Sequence, residues 1–216
     1  FHEFTHILTM DAQYGVDAVL SATFGHVLPL AGDPLGFILT LCSAPPGMLA
    51  PNWYLEGMSI WVETEFVGPG RGRNSLADMI MRMPVADNRL LSPAKWDLHL
   101  PEWPYGEAAY LYGMRTIEYA HEQYGAKPPE RNVPGEMAQS VSRSFLFFFD
   151  RRSRQATGES FHTLAAKALE REKQRQAPRI QALKAVPLTQ LDRLTPDRLQ
   201  VRSPRFTADG KAVIFS

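Results

Sequence analysis

The sequence predicts a mainly α-helical protein with a short β segment at its C-terminal end. Three observations carry that expectation. Apolar residues recur with helical spacing through most of residues 1–183. Pro- and Gly-rich punctuation, such as Gly125 after a long periodic run, separates those stretches. Residues 203–216, SPRFTADGKAVIFS, instead read as two strands around Pro204–Thr207 and Ala212–Ser216, joined by an Asp209-Gly210 turn.

Taken in order, Phe1–Asp11 has apolar residues at 1, 4, 7 and 8 among polar ones, a helical pattern. Residues 29–52 are rich in proline and glycine and are expected as loops around a short apolar helix near 35–42. Trp53–Phe66 reads as a strong helix with Asn52 as its N-cap. Gly68–Arg73 is expected as a surface loop and Ser75–Met83 as a short helix. Tyr105–Tyr124 reads as a long helix closed by Gly125. Gly135–Phe149 and Glu159–Leu183 follow as helices, with the charge run at 170–176 on a solvated face and the run at 145–149 as buried helix. Val186–Pro204 carries three prolines and reads as an interdomain connection. The organisation expected is a helical domain over 1–185, a linker over 186–202 and the start of a second domain over 203–216. A lone hairpin is marginal in water, and Phe1 leads straight into a helix, so the chain is expected to be an internal piece of a longer protein. No signal sequence is visible in it.

Composition narrows the function classes. Lys plus Arg and Asp plus Glu are both 23, so no bulk field draws the chain to nucleic acid or anionic lipid. With 44% hydrophobic residues there is apolar surface for a real core. A single cysteine, Cys42, excludes an intramolecular disulfide framework and a zinc site of several thiolates. No apolar stretch reaches the roughly 18 residues needed to span a bilayer, so no transmembrane segment is expected.

The chemistry begins at His2-Glu3-Phe4-Thr5-His6, an H-E-x-x-H pattern. On a helix, residues four apart share a face, so both imidazoles can reach one Zn²⁺ while Glu3 takes a proton from an attacking water. Such a site needs a third protein ligand. The extended pattern with a third histidine fails, since Thr9 and Ala12 stand where Gly and His belong. A carboxylate remains. Asp17 is one candidate by spacing, and Glu56 is the first glutamate after Glu3. Gly57 allows a neighbouring helix to approach closely, and Trp53, Ile60 and Trp61 supply burial. Glu63 lies seven residues beyond Glu56 on the same face, placed to accept the second N–H of a ligating histidine, or else an ordinary exposed glutamate. Arg71 and Arg73, in the GPGRGR loop, are candidates to meet a substrate carboxylate. His26, His99, His121 and His162 stand outside any ligand spacing.

Residues 51–63, PNWYLEGMSIWVE, resemble the W-L-x-E-G-x-A-x-x-x-E segment of gluzincin metallopeptidases. The resemblance implies Glu56 as the third zinc ligand. Pro104-Tyr105-Gly106-Glu107-Ala108-Ala109 is similar to the segment in gluzincin aminopeptidases whose tyrosine donates to the tetrahedral oxyanion. Carried over, that tyrosine is Tyr105, with Tyr110 and Tyr112 as competitors that also read as core residues. Tyr124-Gly125 and Thr157-Gly158-Glu159-Ser160-Phe161 resemble segments of bacterial peptidase-MA-like domains. Residues 203–211, SPRFTADGK, resemble the repeat of TolB-like β-propellers, with Phe206 as a core aromatic. The resemblances imply the helical catalytic half of a zinc metallopeptidase acting on peptides or proteins, exported to the cell envelope, with a β-propeller beyond it. The alternative from another class is a peptidase-like scaffold module without turnover.

Overall fold

The computed structural model describes residues 1–25, 33–68, 70–98, 103–125, 130–143, 149–187, 189–190, 192 and 203–215. The side chains of residues 16–17 and 41–43 fall outside that description, Asp17 and Cys42 among them, as do His26, His99 and residues 144–148. The described residues form nine α-helices: α1 His2–Met10, α2 Val16–Phe24, α3 Pro34–Ser43, α4 Asn52–Phe66, α5 Ser75–Ala86, α6 Glu107–Tyr124, α7 Val133–Ser142, α8 Phe149–Thr157 and α9 Phe161–Lys184. Two short strands follow, β1 Arg205–Phe206 and β2 Val213–Ile214. The mainly helical expectation holds.

The chain divides into two compact units, Phe1–Ala182 and Leu183–Ser216. The core of the first is the crossing of α4 and α6. Tyr54, Ile60, Tyr112 and Ile117 on these helices are fully buried. The backbones approach so closely that a Cβ on Gly57 would lie 2.6 Å from the Cα of Gly113. Glycine at both positions is what lets the helices touch, as expected for Gly57. Phe149 and Phe161 stack at 4.0 Å and pack edge-on against Trp53 and Tyr54, bringing α8 and α9 onto the start of α4. Between those helices, Ser160 Oγ accepts from the Thr163 N–H at 3.0 Å and opens α9.

Several local expectations are corrected. Asn52 is the first residue of α4 rather than its cap; Pro51 holds that place, without a side chain able to accept. The Trp53 N–H is satisfied from elsewhere, by Asp97 Oδ1 at 2.6 Å. α5 runs on through Pro84 to Ala86, and Asn74 caps it by accepting from Ala77 at 2.6 Å. Tyr105 precedes α6 instead of opening it. Of the helix expected over 135–149, α7 ends at Ser142 and residues 144–148 lie outside the described residues; α8, over Phe149–Thr157, and α2 are elements the sequence pattern did not suggest. The charge run of α9 is not wholly solvated. Glu172 is 3% exposed, 3.7 Å from Arg115 and 3.0 Å from Arg175, with Gln176 donating to it at 2.8 Å.

The second unit contains an antiparallel hairpin pairing Arg205 with Ile214 and Phe206 with Val213. Its turn is the expected one. Gly210, at φ 68°, donates to the Thr207 carbonyl, and Asp209 Oδ1 accepts from Thr207 Oγ1 and the Lys211 N–H. On this two-stranded hairpin Phe206 is 77% exposed. No helix among the described residues is long and apolar enough to cross a membrane.

Candidate metal centre

α1 turns its polar stripe inward. Thr5 and Thr9 are buried against the body, while Phe1, Phe4, Ile7 and Leu8 are all more than half exposed. The close seat of α1 depends on Gly47, where a Cβ would stand 2.9 Å from the Cα of Met10. This rotation carries His2 and His6, one turn apart, over the first turns of α4 and onto Glu56.

His2 Nε2 lies 3.2 Å from Glu56 Oε2, His6 Nε2 lies 3.2 Å from the same oxygen, and the two nitrogens are 3.2 Å apart. Tetrahedral zinc with bonds of about 2.0–2.1 Å to nitrogen and oxygen separates its ligand atoms by about 3.3–3.4 Å. The triangle therefore has the size and the donor chemistry of three zinc ligands, and it is a group that could hold a metal ion among the described residues. All three side chains are 15–18% exposed, sheltered yet reachable.

The remaining ring nitrogens have partners. His6 Nδ1 is 3.3 Å from Oγ of Ser59, which is fully buried. Ser59 is three residues beyond Glu56, so that helical spacing was the available signal for it. His2 Nδ1 is 3.6 Å from Glu63 Oε2 and 2.9 Å from Arg71 Nη2. Burial lowers the pKa of His2, Arg71 and His6 lower it further, and Glu56 opposes them. Glu63 also accepts the backbone N–H of Arg71 at 2.9 Å, fixing the short turn Arg71–Arg73 beside the site.

Tyr110 emerges as a site residue that its core reading had hidden. It stands close enough to Glu56 to feel its charge, its ring stacks at 6.1 Å on that of His2, and the Arg71 guanidinium covers its face at 5.2 Å. Burial raises its pKa, and the Glu56 carboxylate adds to the rise. Tyr112 is a core residue, fully buried against Trp96.

Glu56 and Arg71 open onto a cleft of about 830 Å³ between α4, α5 and the start of α6. Ile60, Leu76, Ile80 and Leu111 give it apolar walls, and Tyr105 stands on its rim beside Trp103. Tyr105 is 56% exposed with φ 59°, a left-handed backbone uncommon for a tyrosine. No hydrogen bond or ring contact joins Tyr105 to the triad among the described residues. Glu3 is exposed on the turn between the two histidines and is likewise without a hydrogen bond or ion pair there. Arg73 points away, paired with Glu65 at 2.6 Å. Of the two loop arginines, Arg71 alone reaches the site. His121 packs against Trp61 and His162 is exposed, as their spacing suggested.

No family model matches this chain, and neither the curated proteins nor the solved structures include a significant match to it.

Proposed function

We propose that the chain is the helical catalytic part of a zinc-dependent peptidase of gluzincin type, with His2, His6 and Glu56 as the metal ligands. The observation that carries this reading is the triangle of ligating atoms, 3.2 Å on each side, beside an open cleft. When bound there, zinc supplies a Lewis acid that brings the pKa of a water down to about 7.

The chain's own residues do the rest. Glu3 takes the proton of the attacking water and returns it to the leaving amine. Tyr105 donates its hydroxyl to the oxygen that gains negative charge, a contact commonly contributing 10²–10³ in rate. Tyr110 steadies Glu56, and Ser59 and Glu63 orient the two imidazoles. The apolar walls of the cleft accept a side chain of the peptide. The resemblance of the C-terminal hairpin to a TolB-like repeat extends the proposal to a β-propeller in the full-length protein and to export from the cytoplasm.

Zinc content and peptide cleavage of the wild type, Glu56→Ala, Glu3→Gln and Tyr105→Phe test the reading together. The expected pattern is loss of zinc in Glu56→Ala alone, with cleavage lost in Glu3→Gln and lowered about 10²-fold in Tyr105→Phe. Zinc bound without cleavage dependent on Glu3 would replace the peptidase with the scaffold reading.

A further inference from the structure

The turn Arg71–Arg73 is fastened through its backbone at three points. The Arg71 N–H donates to Glu63 Oε1 at 2.9 Å, and the Gly72 N–H donates to Thr64 Oγ1 at 3.2 Å. The Gly72 carbonyl accepts from Arg115 Nη2 at 3.3 Å. Thr64 and Arg115 are buried, and Arg115 is itself held by Glu118 at 2.7 Å and Glu172 at 3.7 Å. Gly72 is buried with them, where a side chain would collide with Met114 and Thr64. A turn clamped in this way presents its side chains from a fixed base, which lowers the cost of ordering them around a ligand.

The turn sends its two arginines to different places. Arg73 pairs with Glu65, and Arg71 lines the cleft, the one cationic side chain among the described residues that do so. The Arg71 guanidinium lies on the Tyr110 ring, its Nε stands 3.5 Å from Glu63 Oε2, and its Nη2 stands 2.9 and 3.4 Å from the two ring nitrogens of His2. Its Nη1 has no hydrogen-bond partner among the described residues, so one corner of the fork is open to an acceptor. Asp97 and Glu107 also line the cleft, but both serve helix starts: Asp97 accepts the Trp53 N–H of α4, and Glu107 stands in the first turn of α6. The positive end of a helix offsets a carboxylate placed there.

We propose that Arg71 is the anion-binding group of the cleft, and that its ligand is a carboxylate of the peptide, at the C-terminus or on an acidic side chain. A planar guanidinium on a fixed base matches a carboxylate in shape as well as in charge. Ile60, Ile80 and Leu111 form a buried apolar floor for a neighbouring side chain of the same peptide. The inference deepens the peptidase reading and rests on it for taking the ligand to be a peptide.

The test is binding by the metal-stripped chain, with no turnover required. The probes are N-acetylated alanyl-phenylalanine with a free carboxylate, its C-terminal amide, and that amide with glutamate in place of alanine. Calorimetry measures affinity. Trp103 on the rim is 44% exposed while Trp53, Trp61 and Trp96 are buried, so shielding of Trp103 from acrylamide quenching places the peptide in the cleft. The free acid is expected to bind wild type about tenfold more tightly than the amide, the usual size of a hydrogen bond to a charged group. Arg71→Gln should abolish the difference and Arg71→Lys keep part of it, while Arg73→Gln, which removes the same charge from the same turn, leaves it whole. The glutamate-bearing amide assigns the source: binding as tight as the free acid's puts a side-chain carboxylate on Arg71, and binding as weak as the plain amide's puts the C-terminus there. Equal binding of acid and amide by wild type, a preference that survives Arg71→Gln, or binding that leaves Trp103 unshielded overturns the proposal. Zinc titration of the same samples separates the two readings. Zinc bound without an acid preference overturns this proposal alone, and an acid preference in a chain that binds no zinc keeps the Arg71 site and overturns the peptidase.

Discussion

Alanine at Gly57 tests whether the α4–α6 crossing sets both stability and the site. The new Cβ would stand 2.6 Å from the Gly113 Cα and 2.6 Å from the Met114 nitrogen. Carbon atoms rest about 3.5–4.0 Å apart, so the helices must separate by about 1 Å. Both obstructing atoms are helix backbone, so no change of rotamer relieves the clash. A gap of this size forfeits a quarter to a half of the attraction across the contact. Helix propensity acts the other way, since alanine is better than glycine by about 1 kcal/mol. Overpacking of cores costs about 1–3 kcal/mol, and unyielding neighbours put this site at the upper end, for a net loss of about 2 kcal/mol. For a chain of this size that lowers Tm by about 4–8 °C. Thermal unfolding followed by circular dichroism measures it. Zinc affinity should fall as well, because α4 carries Glu56 and α6 carries Tyr110. An unchanged or raised Tm, the result for a glycine on an open helix face, refutes the crossing.

Three further outcomes follow from the geometry. Ser59→Ala removes the partner of His6 Nδ1 and should weaken zinc binding about tenfold with little loss of helicity, read by chelator competition and circular dichroism. Asp78 is held below the ordinary carboxylate pKa: burial raises it, but Gln176, Arg179, Arg82 and Arg175 together outweigh burial. The stability it contributes is present above about pH 4 and is lost as pH falls through its lower folded value, so Asp78→Asn should flatten acid unfolding below about pH 4. Urea midpoints of the two proteins across that range check the sign; parallel curves count against it. Zinc should slow hydrogen exchange in α1 more than in α6, since two of its three ligands lie on α1. Equal protection of both helices would mean that the metal does not hold α1.

How far the site was legible depended on whether its residues share a local pattern. His2 and His6 stand one turn apart and Glu56 precedes a glycine at a helix crossing, so both halves of the triad could be read from short segments, and the fold brings them to 3.2 Å. Ser59 lay within reach of the same logic, being three residues from Glu56 on one face. Tyr110 was not, because its role depends on how α6 meets α1, and no local spacing encodes that. The start of α4 departs from the local pattern for the same reason: the Trp53 N–H finds Asp97, 44 residues away in sequence. α2 lacks a start signal in the sequence, because Gly15 supplies no capping side chain. At Glu172 the charge pattern misled, since a buried glutamate beside Arg115 looks in sequence like any residue of a charged face.

The orientation of α1 ties the fold to the chemistry. Its threonine hydroxyls are satisfied within the helix, Thr5 on the Phe1 carbonyl at 3.0 Å and Thr9 on the Thr5 carbonyl at 2.8 Å. They therefore add no hydrogen bond to α4. The apolar residues Phe1, Phe4, Ile7 and Leu8 lie mostly outside the core. Turning the helix over would bury that face, and full burial of such side chains is worth about 1.5–3 kcal/mol each. It would also swing both histidines away from Glu56. Among the described residues α1 instead keeps its polar stripe inward and its apolar face outward. The stripe that α1 turns inward is the one that carries His2 and His6 onto Glu56.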